Sequence, residues 1–173
     1  MGRRTRKLEE FEISFGLWGV RCLHFGHYSS YKGCRMSGLL GLPSLPSINE
    51  LHIQGKCNQD LLSSINELST LKALCLEDNE ELKCFPHRML QKLTCLEELY
   101  FHKLFKLELL PTKLPDSLKK LEIVGCHKLV FAGFHEALQH LTLLQSLKFE
   151  HLPTLTSLPD CFRNLALLSE LTL

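Results

Sequence analysis

Apolar residues recur along this chain in the spacing L-x-x-L-x-L. In the stretch that begins at Leu144, the side chains of Leu147 and Phe149 are two positions apart and therefore lie on one face of a short strand. The apolar residues that follow come every three positions up to Leu158, which no regular strand supports, and Pro153 opposes a helix. The pattern predicts a short strand followed by an irregular arc.

The same unit repeats along most of the chain. Its middle leucine recurs in steps of 23, 25, 22, 26 and 24 residues, at Leu51, Leu74, Leu99, Leu121, Leu147 and Leu171. A period of about 20–29 residues with this motif is typical of leucine-rich repeats, in which each unit buries its leucines only against its neighbours. We therefore predict an α/β leucine-rich-repeat solenoid, with a curved parallel sheet on the concave side and irregular arcs and short helices on the convex side.

The spacing also predicts which residues form the core and where the arcs contain helix. One inward residue of each strand should join a single buried row: Ile53, Leu76, Phe101, Ile123 and Phe149. Residues 59–68 and 133–141 have helical apolar spacing and helix-forming residues. Pro86, Pro111 and Pro159 each end an arc, where no ladder N–H is required.

Two segments differ in regularity. Residues 1–41 form an irregular N-terminal segment, in which the spacing Leu8-x-x-Phe11-x-Ile13 allows one degenerate repeat and residues 21–25 suit a strand. Residues 42–173 contain the regular repeats. Because the sequence ends at Leu173, two residues past Leu171, we expect the last repeat to be truncated.

Composition and charge narrow the class of protein. The chain carries 20 basic and 19 acidic residues, a net charge of +1, so no global field favours nucleic acid or a membrane surface. The eight cysteines form no C-x-x-C pair, no N-x-[ST] sequon is present, and neither a signal peptide nor an apolar run of membrane-spanning length is visible. We predict a cytoplasmic protein with reduced thiols and without a membrane span.

A fuller form of the unit, L-x-x-L-x-L-x-x-[C/N/L]-x-x-L-x-x-[L/F]-P, runs over residues 71–86, 96–111 and 144–159. The unit at 121–129 reads Leu-Glu-Ile-Val-Gly-Cys-His-Lys-Leu, and residues 155–160 read Leu-Thr-Ser-Leu-Pro-Asp. Residues 42–173 with these motifs resemble the leucine-rich-repeat region of plant intracellular nucleotide-binding immune receptors, the NB-ARC (NBS-LRR) disease-resistance class.

The resemblance implies a non-enzymatic protein-interaction module in plant defence that acts in effector recognition and autoinhibition. Its implied partners are a nucleotide-binding domain, its own or a separate one, and a pathogen effector or guarded host protein. The chain has no G-x-x-x-x-G-K-[ST] phosphate loop, so we predict no bound nucleotide and no other cofactor. The alternative is a leucine-rich-repeat substrate adaptor of a ubiquitin ligase, which would need F-box helices upstream; an extracellular repeat receptor would predict sequons and a signal peptide.

The side chains that alternate with the inward leucines are predicted to line the concave face and to bind the partner: Glu50, His52, Glu77, Asp78, Glu98, Tyr100, His102, Lys103, Lys120, Glu122, Lys148, Glu150 and His151. This face mixes both signs of charge and offers Tyr100 as an aromatic anchor, which suits a protein partner better than a polyanion. The competing interpretation is that these are solvated positions without a partner.

Catalytic and metal chemistry have little support in the sequence. The nine histidines recur at no fixed ligand spacing, so we expect solvated histidines and no metal site. Cys126 is expected to be a small packing residue rather than a catalytic thiol. The basic stretch at residues 3–7 suits a solvated terminus better than a site for nucleic acid or anionic lipid.

Overall fold

The computed structural model describes residues 10–15, 18–23, 49–55, 57, 59–86, 88–130, 134–156 and 160–173. Within them the chain is an α/β protein with eight strands, two short α-helices and one 3-10 helix. The elements are, in chain order, β1 (Glu10–Phe15), β2 (Trp18–Leu23), β3 (Glu50–Gln54), α1 (Gln59–Ile65), β4 (Ala73–Glu77), β5 (Glu98–His102), β6 (Lys120–Val124), α2 (Phe134–Leu138), β7 (Ser146–Glu150), the 3-10 helix (Asp160–Asn164) and β8 (Glu170–Thr172).

Strands β3 to β8 form one parallel sheet in which the strand order follows the sequence. The repeated leucines are in register, so that Leu74 lies opposite Leu51 on one side and Leu99 on the other. The same register continues to Leu171 in β8. Parallel neighbours require a connection that crosses back over the sheet, and the arcs between the strands supply it. The predicted parallel sheet is confirmed, and its strands fall at the predicted positions.

Backbone hydrogen bonds fix where each strand begins. The carbonyl of Asn49 accepts the N–H groups of Lys72 and Ala73 at 2.6 and 2.9 Å. The carbonyl oxygens of the equivalent residues Lys72, Glu97, Lys119 and Gln145 each accept two consecutive N–H groups from the next unit in the same way. This shared acceptor sets the register of every strand pair independently of the length of the arc between them.

The buried face of the sheet forms one core with the arcs. Ile53, Leu76, Phe101, Ile123 and Phe149 are each 0–1% exposed and lie opposite one another along the sheet, which confirms the predicted single row. Leucines from the arcs, among them residues 61, 62, 93, 118 and 141, belong to the same cluster. The arcs therefore cover one face of the sheet only.

Both α-helices are shorter than the sequence pattern predicts. Helix α1 ends at Ile65 and continues as turns, with the N–H of Leu68 bonded to the Ile65 carbonyl at 3.0 Å. The hydroxyls of Ser63 and Ser64 donate back to carbonyls four residues earlier, a competition that weakens helices. Helix α2 covers five residues, and its Phe134 ring packs edge-on against Phe149 at 5.6 Å between centroids. Residue 133 lies outside the described part.

The N-terminal strands form a separate sheet. β1 and β2 pair antiparallel, from Glu10 opposite Leu23 to Phe15 opposite Trp18. The degenerate unit expected around residues 8–13 therefore contributes no strand to the parallel sheet, and the strand expected over 21–25 is observed at Trp18–Leu23. Residues 8, 24 and 25 lie outside the described residues. β2 contacts β3 at the first edge of the parallel sheet.

In the ranges that the structure describes, no helix combines the length and the apolar character needed to cross a bilayer.

Burial separates four of the described cysteines into two groups, whereas Cys57 is half-buried and burial raises its pKa to about 11. Cys75 and Cys126 are buried, and burial raises the pKa of Cys126 to about 11. Burial and the neighbouring carboxylates of Glu77 and Glu122 raise that of Cys75 to about 12. Cys84 and Cys95 are exposed. Because the thiolate is the reactive form, the two groups should differ in reactivity.

We expect an aromatic disulfide reagent at pH 8 to modify Cys84 and Cys95 rapidly, and Cys75 and Cys126 only when the chain unfolds. A thiol whose pKa is raised in the folded state stabilises the fold fully below its unfolded pKa, so this stability falls as the pH rises from about 9 towards 11. Peptide mass mapping after timed labelling, with and without denaturant, checks this prediction. Equal labelling rates at all four sites in the native protein would contradict it.

Candidate functional site

The second face of the parallel sheet, here called the open face, carries the side chains that alternate with the core leucines. The strand register places them in three rows. The first row is Glu50, Ala73, Glu98, Lys120, Ser146 and Glu170; the middle row is His52, Cys75, Tyr100, Glu122, Lys148 and Thr172; and the last row is Gln54, Glu77, His102, Val124 and Glu150. The open face is therefore polar and charged, whereas the opposite face is apolar.

A fourth row of residues follows the last row at the corner where each strand ends. All five of its members have left-handed backbone: Gly55 (φ 88°), Asp78 (φ 54°), Lys103 (φ 52°), Gly125 (φ 70°) and His151 (φ 54°). The N–H groups of the first four extend the parallel ladder, as in the 3.1 Å bond from Asp78 to the carbonyl of His102. Glycine adopts this conformation without strain, whereas the three other residues do so at some cost. The corner row thus holds the side chains of Asp78, Lys103 and His151 at the rim of the open face.

Five side chains from β3, β4 and β5 meet at this rim in what we call the rim cluster: His52, Gln54, Glu77, Asp78 and Lys103. The Lys103 ammonium lies 3.3 Å from an Asp78 oxygen and 3.6 Å from a Glu77 oxygen. The Gln54 amide donates to the other Asp78 oxygen at 2.6 Å, and His52 Nε2 lies 3.2 Å from Glu77. β3, β4 and β5, together with the corners that follow β4 and β5, thus contribute polar groups to one connected network.

The contacts of the rim cluster shift the protonation of its members. The hydrogen bond from Gln54, followed by the contacts with Lys103, lowers the pKa of Asp78. Asp78 and then Glu77 raise the pKa of Lys103. Both groups are therefore charged at neutral pH. Because the side chains of Lys103 and Asp78 are 53% and 34% exposed, solvent screening keeps the contribution of their ion pair to stability small.

Tyr100 forms the centre of a second group on β5 and β6, the tyrosine cluster. Its hydroxyl donates to Glu98, and the Lys120 ammonium lies 5.3 Å from the centre of its ring, within the range of a cation–π contact. The His102 ring meets Tyr100 edge-on at 5.9 Å, and His102 Nε2 lies 3.5 Å from Glu122. Tyr100 therefore has partners around its ring and its hydroxyl, and it is half-buried on the face.

His52 and Cys75 differ from the other open-face residues because they are nearly inaccessible. The side chain of His52 is only 8% exposed, so the expectation that this histidine is solvated is wrong. Cys75 lies between His52 and Tyr100 in the middle row and is 9% exposed. With a pKa of about 12, this thiol is protonated at neutral pH and is a weak nucleophile.

Elsewhere in the described part, two grooves lie between the arcs that follow β4 and β5. The larger has a volume of about 350 Å³ and is lined by residues such as Gln91, Lys113 and Asp116. The smaller adjoins it and includes Phe85 and Leu110. Neither contains open-face residues. Among the described residues, no group of three histidine, cysteine, aspartate or glutamate side chains is placed to hold a metal ion.

The structure brings all 13 residues of the predicted binding set to the open face or its corner row. These residues are unevenly distributed along the sheet. The rim and tyrosine clusters lie on β3 to β6, whereas Lys148 and Glu150 form a separate ion pair at 3.2 Å on β7. Gln54 is a member of the rim cluster that the predicted set lacks. Its position two residues after His52 predicts that its side chain shares the concave face, although it is not among the predicted binding residues.

Similarity to known proteins adds no further information on this face. Neither the models of known protein families nor the curated protein sequences match this chain.

Proposed function

We propose that this chain is a non-enzymatic protein-interaction module whose units form a leucine-rich-repeat solenoid. Its open face is the concave, partner-binding wall. The proposed context is that of the NBS-LRR immune receptors that residues 42–173 resemble, where such a segment takes part in effector recognition and autoinhibition of a nucleotide-binding domain in the cytoplasm.

One observation supports this proposal most strongly. Six parallel strands stack in sequence order with one face sealed by arcs, and the other face presents charged side chains and a half-exposed tyrosine. A large polar face with an aromatic anchor held by its neighbours suits a protein partner, because buried aromatic residues supply most of the binding energy at such interfaces. Side-chain contacts at the rim connect three neighbouring strands, which supports treating this part of the face as one surface.

Co-precipitation with a nucleotide-binding module tests the proposal. We expect the full chain to associate with the separately expressed NB-ARC module of a plant immune receptor, and to reduce the cell death that a constitutively active form of this module causes in leaf tissue. Replacing Tyr100 by alanine should weaken the association about tenfold or more, because the aromatic anchor is lost.

The control is Lys113→Ala in the groove between the arcs, which should leave the association unchanged. Association that survives Tyr100→Ala together with Lys148→Glu would contradict the assignment of the open face. Association with a cullin-type ubiquitin ligase scaffold instead of the NB-ARC module would favour the ubiquitin-ligase alternative.

A further inference from the structure

The half of the open face that covers β3 to β5 carries an excess of negative charge. Among its described side chains are four carboxylates, Glu50, Glu77, Asp78 and Glu98, and one ammonium group, Lys103. With the histidines neutral, the net charge of this half is −3. The other half, over β6 to β8, has a net charge of −1 from these residues: Lys120, Glu122, Lys148, Glu150 and Glu170.

The four carboxylates lie in two groups near opposite ends of the strands. Glu50 and Glu98 belong to the first row, whereas Glu77 and Asp78 belong to the last row and the corner. Four residues separate the first row from the last, which corresponds to about 13 Å along a strand. This half of the face therefore has two separated negative poles, and the line between them runs along the strands.

The carboxylates at both poles can accept further hydrogen bonds in addition to those from their present partners. Glu77 and Asp78 share Lys103, Gln54 donates to Asp78 and His52 contacts Glu77, but each carboxylate has two oxygens that together accept about four hydrogen bonds. At the other pole, Glu98 is exposed and accepts one hydrogen bond from Tyr100. Between the poles lies the middle row, where the Tyr100 ring offers an apolar surface that already attracts the Lys120 ammonium.

We propose that this half of the open face docks an extended basic segment of a protein partner, with arginine or lysine at two positions four residues apart. In an extended chain, residues i, i+2 and i+4 face the same side and span about 13 Å, which matches the distance between the two poles. The residue at i+2 then lies on Tyr100. This inference rests on the proposed function, because it names the chemistry of the partner that binds the same face.

The negative charge of this half disfavours nucleic acid and anionic lipid as its partners. A net charge of −3 repels the phosphates of nucleic acid and of anionic lipid. A basic peptide segment instead gains charge-assisted hydrogen bonds, which arginine makes to carboxylates in a bidentate manner. Because the open face is already ordered through its cross-strand contacts, the protein side loses little conformational freedom on binding.

Fluorescence anisotropy with labelled synthetic peptides tests the inference on the full chain. The matched probe is Ser-Arg-Ser-Leu-Ser-Arg-Ser, and the control has the same composition with adjacent arginines, Ser-Arg-Arg-Ser-Leu-Ser-Ser. We expect the matched probe to bind about tenfold more tightly than the control, with binding that weakens as salt is raised from about 50 to 300 mM. Equal affinity for both peptides would overturn the inference, because the spacing would then carry no information.

Variants locate the site on the chain. Glu98→Gln and Glu77→Gln should each weaken binding of the matched probe by about tenfold, the loss expected for one charge-assisted contact. Glu170→Gln removes the same charge from the exposed first-row position of β8 and should leave binding unchanged. Unchanged binding in Glu98→Gln and Glu77→Gln, with native thermal melts, would also overturn the inference.

A charge reversal separates this inference from the proposed function. Glu98→Lys should abolish binding of the matched probe and restore it for a peptide in which glutamate replaces the first or the second arginine. If the NB-ARC module associates but the peptides do not, the basic-segment inference fails and the proposed function stands. If the peptides bind with the expected spacing but the module does not associate, the proposed context fails and the peptide site stands.

Discussion

Replacing Phe101 by alanine is expected to lower the free energy of unfolding by about 3–5 kcal/mol. The side chain is fully buried in the middle of the core row, and its ring stacks on Phe85 with 4.9 Å between centroids. Leu76 and Ile123, on the two neighbouring strands, lie directly beside it, so the cavity cannot be filled without moving both. Reversible urea unfolding followed by circular dichroism measures the change.

Phe105→Ala is the matched control for this substitution. Phe105 is the same residue type four positions later, but it is 36% exposed and its ring faces His127 at 5.7 Å. We expect this variant to lose about 1 kcal/mol or less, because shortening a partly exposed side chain leaves no enclosed cavity. Similar losses for the two phenylalanines would show that the core row does not stabilise the fold as the structure implies.

Replacing Asn79 by alanine is expected to lower the free energy of unfolding by about 2–4 kcal/mol, although the substitution removes few apolar atoms. Asn79 is the one polar residue that is fully buried among those described. Its side-chain oxygen accepts the N–H groups of Glu81 and Leu82 at 2.9 and 2.7 Å, and its amide donates to the Gly55 carbonyl at 2.9 Å. In the alanine variant, the two N–H groups and the Gly55 carbonyl lose their hydrogen bonds to the Asn79 side chain inside the protein.

The other arcs show why this asparagine is needed where it is. After β5, β6 and β7 the first turn closes through the backbone, as in the 3.1 Å bond from the N–H of Leu129 to the carbonyl of Cys126. After β4 the side chain of Asn79 replaces that carbonyl and also ties the arc to the preceding unit. The side chain of Asn79 thus accepts the hydrogen bond that a backbone carbonyl accepts in the other arcs.

Cys126→Ala provides the comparison for Asn79→Ala under the same unfolding conditions. Cys126 occupies the equivalent position after β6 and is fully buried, but its thiol makes only long contacts, with Phe101 O at 3.6 Å and Val124 O at 3.8 Å. We expect a loss of about 1 kcal/mol, which reflects the smaller volume and a weak donor. A loss from Asn79→Ala that does not exceed this value would refute the role assigned to the asparagine.

The sequence was sufficient to predict the strands of the parallel sheet because their pattern is local. An apolar pair two positions apart marks each strand, and the recurrence of Leu51 at Leu74 and beyond predicts the register as well. The helices are shorter than predicted because apolar spacing contains no information on side-chain hydrogen bonds. Ser63 and Ser64 donate such bonds to carbonyls four residues earlier. The antiparallel pairing of β1 with β2 is not predicted by the pattern, because apolar spacing marks each strand separately and does not identify its partner.

For the open face, the sequence predicted which side chains share a surface but not how they contact one another. His52, for example, contacts Glu77 at 3.2 Å, although the two residues are 25 positions apart in sequence and become neighbours only through the strand pairing. The left-handed corner row had one visible signal, since Gly55 and Gly125 occupy equivalent positions. Aligning the units on these glycines would have placed Asp78, Lys103 and His151 at the same strained corner.

The shared carbonyl acceptors have a consequence for how such a chain can vary over evolutionary time. Because Lys72, Glu97 and their equivalents set the start of each strand, an insertion or deletion in an arc is absorbed on the far side of the sheet. The 22- to 26-residue spread among the units already shows this tolerance. Mutations that lengthen or shorten the arcs can therefore accumulate without shifting the open face, so that the geometry of this face and the length of the chain are inherited almost independently.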